Sequence, residues 1–224
     1  MSLHGEIVLA HPRDTDVLSR VIALSFHTLA PSAWLIPDEA ARRDVFPGYF
    51  RLFVEDAMAR GCVYTTADRS AAALWFPVDE AGAQAPPDYD PRLAAVTGRW
   101  VDRFRLFDEL LDKHHPTGLR HTHLAILAVH PDLQRQGIGT ALLSTHHSHI
   151  DDADPPPAAY LEASDSATRG LYLKHGYTDH GDPIQLPGGP QMFPMLRSTP
   201  RPAKQAAKEP LAQLTPHIPP QEGH

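Results

Sequence analysis

The stretch Leu124-Ala-Ile-Leu-Ala-Val-His-Pro-Asp-Leu-Gln-Arg-Gln-Gly-Ile-Gly-Thr-Ala-Leu-Leu143 limits the possible folds more than any other part of this chain. Residues 124–129 form a short apolar run rich in branched side chains, which suits a buried strand, and His130-Pro131 stops it. A loop bearing Gln134, Arg135, Gln136, Gly137 and Gly139 follows, and Ile138, Ala141, Leu142 and Leu143 then begin helical spacing. Strand, glycine-bearing loop and helix bring free backbone N–H groups and the positive end of a helix to one point, where an anion, usually a phosphate, is held. Arg135 adds a charge there.

Three phosphate-loop patterns compete for this stretch. A nucleoside-triphosphate loop needs Lys before Ser or Thr, and here Gly139 is followed directly by Thr140. A dinucleotide fingerprint needs a third small residue where this chain has Leu142, although Glu162 stands near the distance at which that fingerprint wants an acid. What remains is Val129-x-Pro131-x-x-Gln134-Arg135-Gln136-Gly137-Ile138-Gly139-Thr140-Ala141, which resembles the acetyl-coenzyme A signature of the GNAT N-acetyltransferases. A second block, Leu161-Glu-Ala-Ser-Asp-Ser-Ala-Thr-Arg-Gly-Leu-Tyr-Leu-Lys-His-Gly-Tyr177, resembles the strand, Tyr-bearing helix and Gly-Phe/Tyr that follow in that superfamily. The similarity runs from about Glu6 to Arg197. Within the superfamily the chain looks most like the puromycin N-acetyltransferase branch, on Ala72-Ala-Leu-Trp-Phe-Pro77, the long insert before the central strand, Leu161-Glu-Ala-Ser164 and Gly189-Pro190.

The resemblance implies an α/β fold of GNAT type: a central mixed, mostly antiparallel sheet of six to seven strands flanked by helices and splayed at the cofactor site. It implies acetyl-CoA as cofactor, with the diphosphate on Gln134, Arg135, Gln136, Gly137, Ile138, Gly139, Thr140 and Ala141, and the pantetheine along a strand that includes Leu127, Ala128 and Val129. Thr168 stands where many members carry Asn, a departure at a cofactor contact. Tyr172 matches the tyrosine that protonates the leaving thiolate, and a phenol of ordinary pKa near 10 is a donor at neutral pH; a core tyrosine on a short helix is the plainer alternative. Glu162 is the candidate base, since an ammonium of pKa about 10 must lose a proton before attack. A structural salt bridge or recognition of the substrate ammonium would equally explain a carboxylate in an apolar strand. The implied reaction is direct attack of a primary amine on the thioester in a ternary complex. The expected acceptor is a small molecule, an antibiotic or aminated metabolite, with a protein lysine or N-terminus, or a non-catalytic acyl-CoA-binding module, as the alternatives.

The rest of the chain is read as support. At 224 residues it holds one domain of ordinary size: residues 1–197 as the acetyltransferase domain and 198–224 as a Pro-rich tail expected to be disordered. A net charge of −7 disfavours nucleic acid as a partner, no apolar run reaches membrane-spanning length, and a cytoplasmic monomer or homodimer is expected. Cys62 stands alone and reads as a small buried residue opening a strand. Strands are predicted at 6–10, 62–67, 71–76, 158–163, 177–180 and 191–196, besides 124–129. Helices are predicted from about Val17, over 38–60 with an interruption near Pro47-Gly48, to about His115 with Trp100, Phe104, Phe107 and Leu111 on one stripe, and over 168–175. The Pro-, Gly- and Ala-rich segment 77–91 reads as a mobile loop. Trp34, Trp75 and Phe107 are candidates for shaping the acceptor pocket, and His121 and His123, two apart on a strand, for an auxiliary base. No Cys or spaced carboxylate completes a shell around those histidines, so no metal is expected. The run His146, His147, His149 reads as a solvated helix end.

Overall fold

The computed structural model describes residues 6–198 except 84 and 87; the Pro-rich tail reading therefore lies almost wholly outside the described residues. The elements in order are β1 (Ile7–Leu9), α1 (Thr15–Phe26), α2 (Ala30–Leu35), α3 (Glu39–Arg60), β2 (Cys62–Thr66), β3 (Ala71–Val78), α4 (Tyr89–Thr97), α5 (Val101–His114), β4 (His121–Val129), α6 (Ile138–Asp151), β5 (Ala158–Ala163), α7 (Ser166–Lys174), β6 (Thr178–Asp179), β7 (Ile184–Gln185) and β8 (Gln191–Arg197). The eight strands form one sheet in the order β1-β2-β3-β4-β5-β8-β6, with β7 beside β8. Every pairing is antiparallel except β4 with β5. This is the mixed, mostly antiparallel sheet expected, with the strand predicted at 177–180 present as β6 and one strand more, because β7 is a two-residue strand that periodicity does not reveal.

Helices cover both faces of the sheet. On one side α1 to α5 pack Leu18, Ile22, Phe46, Phe50, Leu93 and Phe104 against Val63, Leu74, Ile126 and Ala128. On the other, α6 and α7 pack Ile138, Leu142, Leu143 and Tyr172 against Ala73, Trp75, Leu124 and Leu161. Full burial of a side chain such as Phe104 or Leu142 stabilises the fold by about 1.5–3 kcal/mol.

Two departures from sequence expectation have clear causes. Helix α3 runs unbroken through Pro47, with Asp38 capping it by accepting from Ala40 N and Ala41 N at 2.9 and 3.1 Å. One proline forfeits one backbone bond, and burial of Phe46, Tyr49 and Phe50 around it outweighs that loss. The segment 77–91 is shorter as a loop than expected, because β3 continues to Val78 and α4 begins at Tyr89. Among the described residues no helix is long and apolar enough to cross a membrane.

Two irregularities of β4 create the site. It pairs with β5 only over His121–His123 against Ala158–Tyr160, whereas its other edge stays paired with β3 as far as Val129. Beyond His123 the two strands part, so residues 124–129 keep a backbone edge with no strand ladder on it, the kind of edge an extended amide ligand can occupy. The register with β3 also slips between Leu74/Trp75 and Ile126/Leu124, leaving Ala125 as the extra residue of a bulge.

Candidate active site

The wedge between β4 and β5 opens into one long cavity of about 820 Å³. One end is the loop before α6, where Gln134, Arg135, Gly137, Ile138, Gly139 and Thr140 line it. Gly137 is the N-cap of α6 at φ +86, a left-handed conformation, and no side chain caps the helix. The first N–H groups of a 14-residue helix are thus left for a ligand, beside the Arg135 side chain. A Cβ built on Gly139 would meet nothing nearer than Leu127 Cδ2 at 3.7 Å, so the chain does not fill the space over this glycine. Gln134 is spent on the loop itself, donating through Nε2 to Val129 O at 3.2 Å. An uncapped helix start, a bare glycine and an unpaired strand edge together fit a diphosphate joined to an extended amide chain, the chemistry of coenzyme A.

The middle of the cavity holds the titratable groups. Glu162 on β5 lines it with a side chain only 6% exposed, and its Oε2 lies 3.0 Å from His123 Nε2 of β4. Burial pushes this carboxyl up, but the imidazoles of His123 and His115 more than offset that and hold it down at about 2. Its Oε1 has no hydrogen-bond partner and lies 3.8 Å from His115 Nδ1, too far for a bond. His115 Nε2 is 2.9 Å from His121 Nε2, and His121 Nδ1 donates to Leu119 O at 2.8 Å. Tyr172 of α7 lines the opposite wall, its phenol pushed well up, first by burial and then by the charges of Asp165 and Glu162. It therefore stays protonated at any working pH.

The far end is walled by aromatic side chains, among them Phe26, Phe46, Tyr49, Phe53, Phe76 and Phe107. One acid sits among them. Asp108 accepts from Tyr89 Oη at 3.0 Å and has its pKa pushed up to about 7, by burial first and by the charge of Asp112 as well. Both acids line the cavity, four residues apart on α5.

Most residues named from sequence meet here and some do not. Tyr172, Glu162, His123, Phe107, Thr168, Leu127, Val129 and six of the loop residues line the cavity. Ala128 points into the core on the α1–α5 side, and neither Gln136, whose side chain bonds to Asp132 O, nor Ala141 lines the cavity. His121 is buried behind His115 rather than beside His123 in the cavity. Trp34 is tied by Nε1 to Pro187 O at 2.9 Å and does not line the cavity. Trp75 lies on the other side of the sheet, stacked on His146 at 3.8 Å between ring centroids. The histidine run of α6 is not a solvated end: His146 and His147 are buried, and His147 Nε2 meets Tyr177 Oη at 2.9 Å. Thr168 is the third residue of α7, where its hydroxyl and N–H close a capping box with Asp165. Sequence reasoning does not reach His115, Asp108, Asp112 or Tyr89. The two acids fall on the arc of α5 that carries Phe107 and Leu111, so charged residues beside an aromatic stripe are the signal that would find them.

Residues 116–198 match a family model described as Acetyltransferase (GNAT) domain. Over 85 residues the chain is 34% identical to a serotonin N-acetyltransferase from Mesocricetus auratus, a match spanning 38% of this chain and 40% of that protein. The chain thus spans less than half the length of that curated relative. The fold resembles a solved structure described as histone acetyltransferase HPA2 and related acetyltransferase from Corynebacterium glutamicum, with TM-score 0.67 and 20% identity over 90% of this chain and 99% of that one. It also resembles PaiA N-acetyltransferase from Thermoplasma acidophilum in complex with coenzyme A, with TM-score 0.52 and 13% identity over 86% and 97% of the two chains. Arylalkylamine N-acetyltransferase 2 from Aedes aegypti is similar at TM-score 0.53 and 10% identity over 86% and 97%.

Proposed function

We propose that the GNAT acetyltransferase domain this chain carries over residues 116–198, together with the helices packed on it, is an acetyl-CoA-dependent N-acetyltransferase for a small primary amine with an apolar, largely aromatic body. The observation that carries this reading is the continuity of the cavity from an anion-binding helix start, past Glu162, His123 and Tyr172, into an aromatic chamber. Acetyl-CoA, when bound, supplies an acetyl group activated as a thioester.

The residues divide the work by position. The N–H groups at the start of α6 and the Arg135 side chain hold the diphosphate, and the unpaired edge of β4 aligns the chain that leads to the thioester. Glu162 and His123 act as a pair on the amine. His123 donates Nε2–H to Glu162 Oε2, which leaves Nδ1 as the ring's acceptor, and the ionised carboxylate stabilises the imidazolium that forms when the amine proton is taken up. This moves the base from Glu162 alone to the pair, because a carboxylate near pKa 2 is by itself a weak acceptor for an ammonium proton. Tyr172 delivers the proton to the departing thiolate. Asp108 and Asp112 attract the cationic acceptor to the chamber, and the aromatic rings take its body.

The acceptor class draws on two supports. The resemblance of several segments to puromycin N-acetyltransferases and the partial similarity to a serotonin N-acetyltransferase both point to enzymes named for small molecules. Thiol release from acetyl-CoA, followed across arylalkylamines, aminated antibiotics, polyamines and lysine peptides, tests the reading. Turnover is expected with aromatic primary amines. Turnover confined to peptides would overturn the acceptor assignment, and coenzyme A binding without thiol release for any amine would leave a non-catalytic module.

A further inference from the structure

The groups around Glu162 are arranged as a cation site. His121 Nδ1 is committed as a donor to Leu119 O, so a neutral His121 accepts at Nε2 and His115 donates to it across 2.9 Å. That bond fixes the tautomer of His115 and leaves a lone pair on its Nδ1. Across 3.8 Å stands Glu162 Oε1, also an acceptor, buried and without a partner. Two acceptors facing each other in a buried place call for a positive charge between them, a proton on His115 Nδ1 or a metal ion. His123 Nε2 completes the set, and the three ligand atoms all lie within 4.8 Å of one another.

We propose that His115, His123 and Glu162 bind one divalent transition-metal ion, with zinc the best fit, and that its binding switches acetyl transfer off. The binding half stands on geometry; the inhibitory half rests on the function proposed above. Tetrahedral zinc with bonds of about 2.0–2.1 Å sets its ligand atoms roughly 3.4 Å apart. The three ligand atoms lie within 4.8 Å of one another, so closing on one ion takes side-chain shifts of about an ångström. The ion takes the Nε2 lone pair of His123, and the proton that Nε2 shared with Glu162 moves to Nδ1, so the ring binds as a neutral imidazole. Two histidines and one carboxylate leave a fourth position open, on the cavity side, for water or an amine. The orienting bond expected behind a metal-bound histidine is already present as His115 to His121 to the Leu119 carbonyl. Occupation removes the proton acceptor from the amine while leaving the α6 loop untouched.

Titration of the metal-stripped full chain with zinc by calorimetry, without acetyl-CoA or amine, tests the binding half. One zinc per chain is expected, with affinity lowered at least about 100-fold in His115→Ala and in Glu162→Gln, and about 10–100-fold in His121→Gln. A His149→Gln control on α6 should bind as the parent does, and circular dichroism confirms that each variant is folded. Cobalt as a probe should show the intense visible bands of a four-coordinate ion in the parent and lose them in His115→Ala. No uptake, or uptake that survives both His115→Ala and Glu162→Gln, overturns the site. In the parent enzyme zinc should inhibit thiol release at concentrations matching its dissociation constant, with coenzyme A affinity unchanged and chelation restoring the rate. Zinc bound without inhibition overturns the switch alone, and failure of every amine to react overturns the proposed function but leaves the metal result standing.

Discussion

Replacing Gly139 with alanine separates what the α6 loop does for the fold from what it does for a ligand, because the two effects have opposite signs. Gly139 is the second residue of α6, its φ is not in the left-handed region, and the nearest atom to an added methyl is Leu127 Cδ2 at 3.7 Å, an ordinary contact. Alanine there removes the helix penalty of glycine, about 1 kcal/mol in a helix interior and less in a first turn, so roughly 0.5 kcal/mol of stability is gained. For a chain of this size that is a rise in Tm of about 1–2 °C. An added methyl carbon keeps a bound oxygen at roughly 3.4 Å, so a diphosphate seated against the bare Cα of Gly139 is displaced. Displacing the anion weakens charge-assisted bonds that contribute about 1.5–3 kcal/mol each. Gly139→Ala should therefore raise the Kd for coenzyme A by about 10–100-fold in calorimetry while the ligand-free melting temperature holds or rises. Gly137→Ala is the contrast: φ +86 imposes about 1–2 kcal/mol of strain, so its Tm should fall. Unchanged coenzyme A affinity in a stably folded Gly139→Ala would refute the placement of the diphosphate.

Three further outcomes follow from the same geometry. Tyr172→Phe keeps the ring in its packing against Tyr177 and removes only the hydroxyl, so kcat should drop about 10²–10³-fold with the Kd for coenzyme A within about twofold; an unaltered kcat removes Tyr172 from proton delivery. Asp108, faced by Tyr89, Tyr49 and Asp112, titrates near 7, so its carboxylate fraction rises roughly tenfold between pH 6 and 8. The Ki of a tertiary-amine analogue, cationic throughout that range, should fall by about the same factor in the parent and stay flat in Asp108→Asn; a flat profile in the parent would separate Asp108 from acceptor binding. Burial holds His146 down to about 3 and His147 to about 4, against about 6.5 in an unfolded chain. The unfolded state then binds more protons below pH 6.5, and stability present above that value is lost as pH falls toward 4. Urea melts should show a loss on the order of 2 kcal/mol per histidine between pH 7.5 and 5, reduced in His146→Phe, and a midpoint constant over that range would contradict their burial as neutral rings.

How far the sequence foretold this arrangement depended on whether the signal was local. Strand, loop and uncapped helix at 124–143 are consecutive in the chain, and each rests on short-range chemistry: branched residues, a proline stop and two glycines. The same holds for α7 and its Tyr172, although its start at Ser166, set by the Asp165 cap, lies two residues before the predicted Thr168. Burial is not local, and there the reading failed in both directions. Three histidines in close succession on α6 look solvated, yet Trp75 comes across from β3 to stack on His146, and Tyr177 comes from beyond α7 to bond His147. Trp34 and Trp75 look like pocket aromatics, but one serves the turn at Pro187 and the other the opposite core.

The placement of His123 shows why the site needed three dimensions. Strict alternation along β4 would put His121, His123, Leu127 and Val129 on one face, with Leu124, Ile126 and Ala128 on the other. The bulge at Ala125 breaks that count, so Leu124 packs with α6 while Ile126 and Ala128 pack with the helices α1 to α5. His123 thereby shares the side of the sheet where α5 delivers His115 and β5 delivers Glu162, while Leu127 and Val129 keep to the α6 side. One inserted residue thus separates the part of the strand suited to lie along a ligand from the part that holds the proposed proton-transfer groups. Straightening the strand would return His123 to the face of Leu127 and dissolve the pair with Glu162. The bulge in the β3 ladder at Ala125 and the end of the β5 ladder at His123 lie within three residues of each other. The proposed proton-transfer pair and the proposed ligand edge thus both fall where β4 departs from regular pairing.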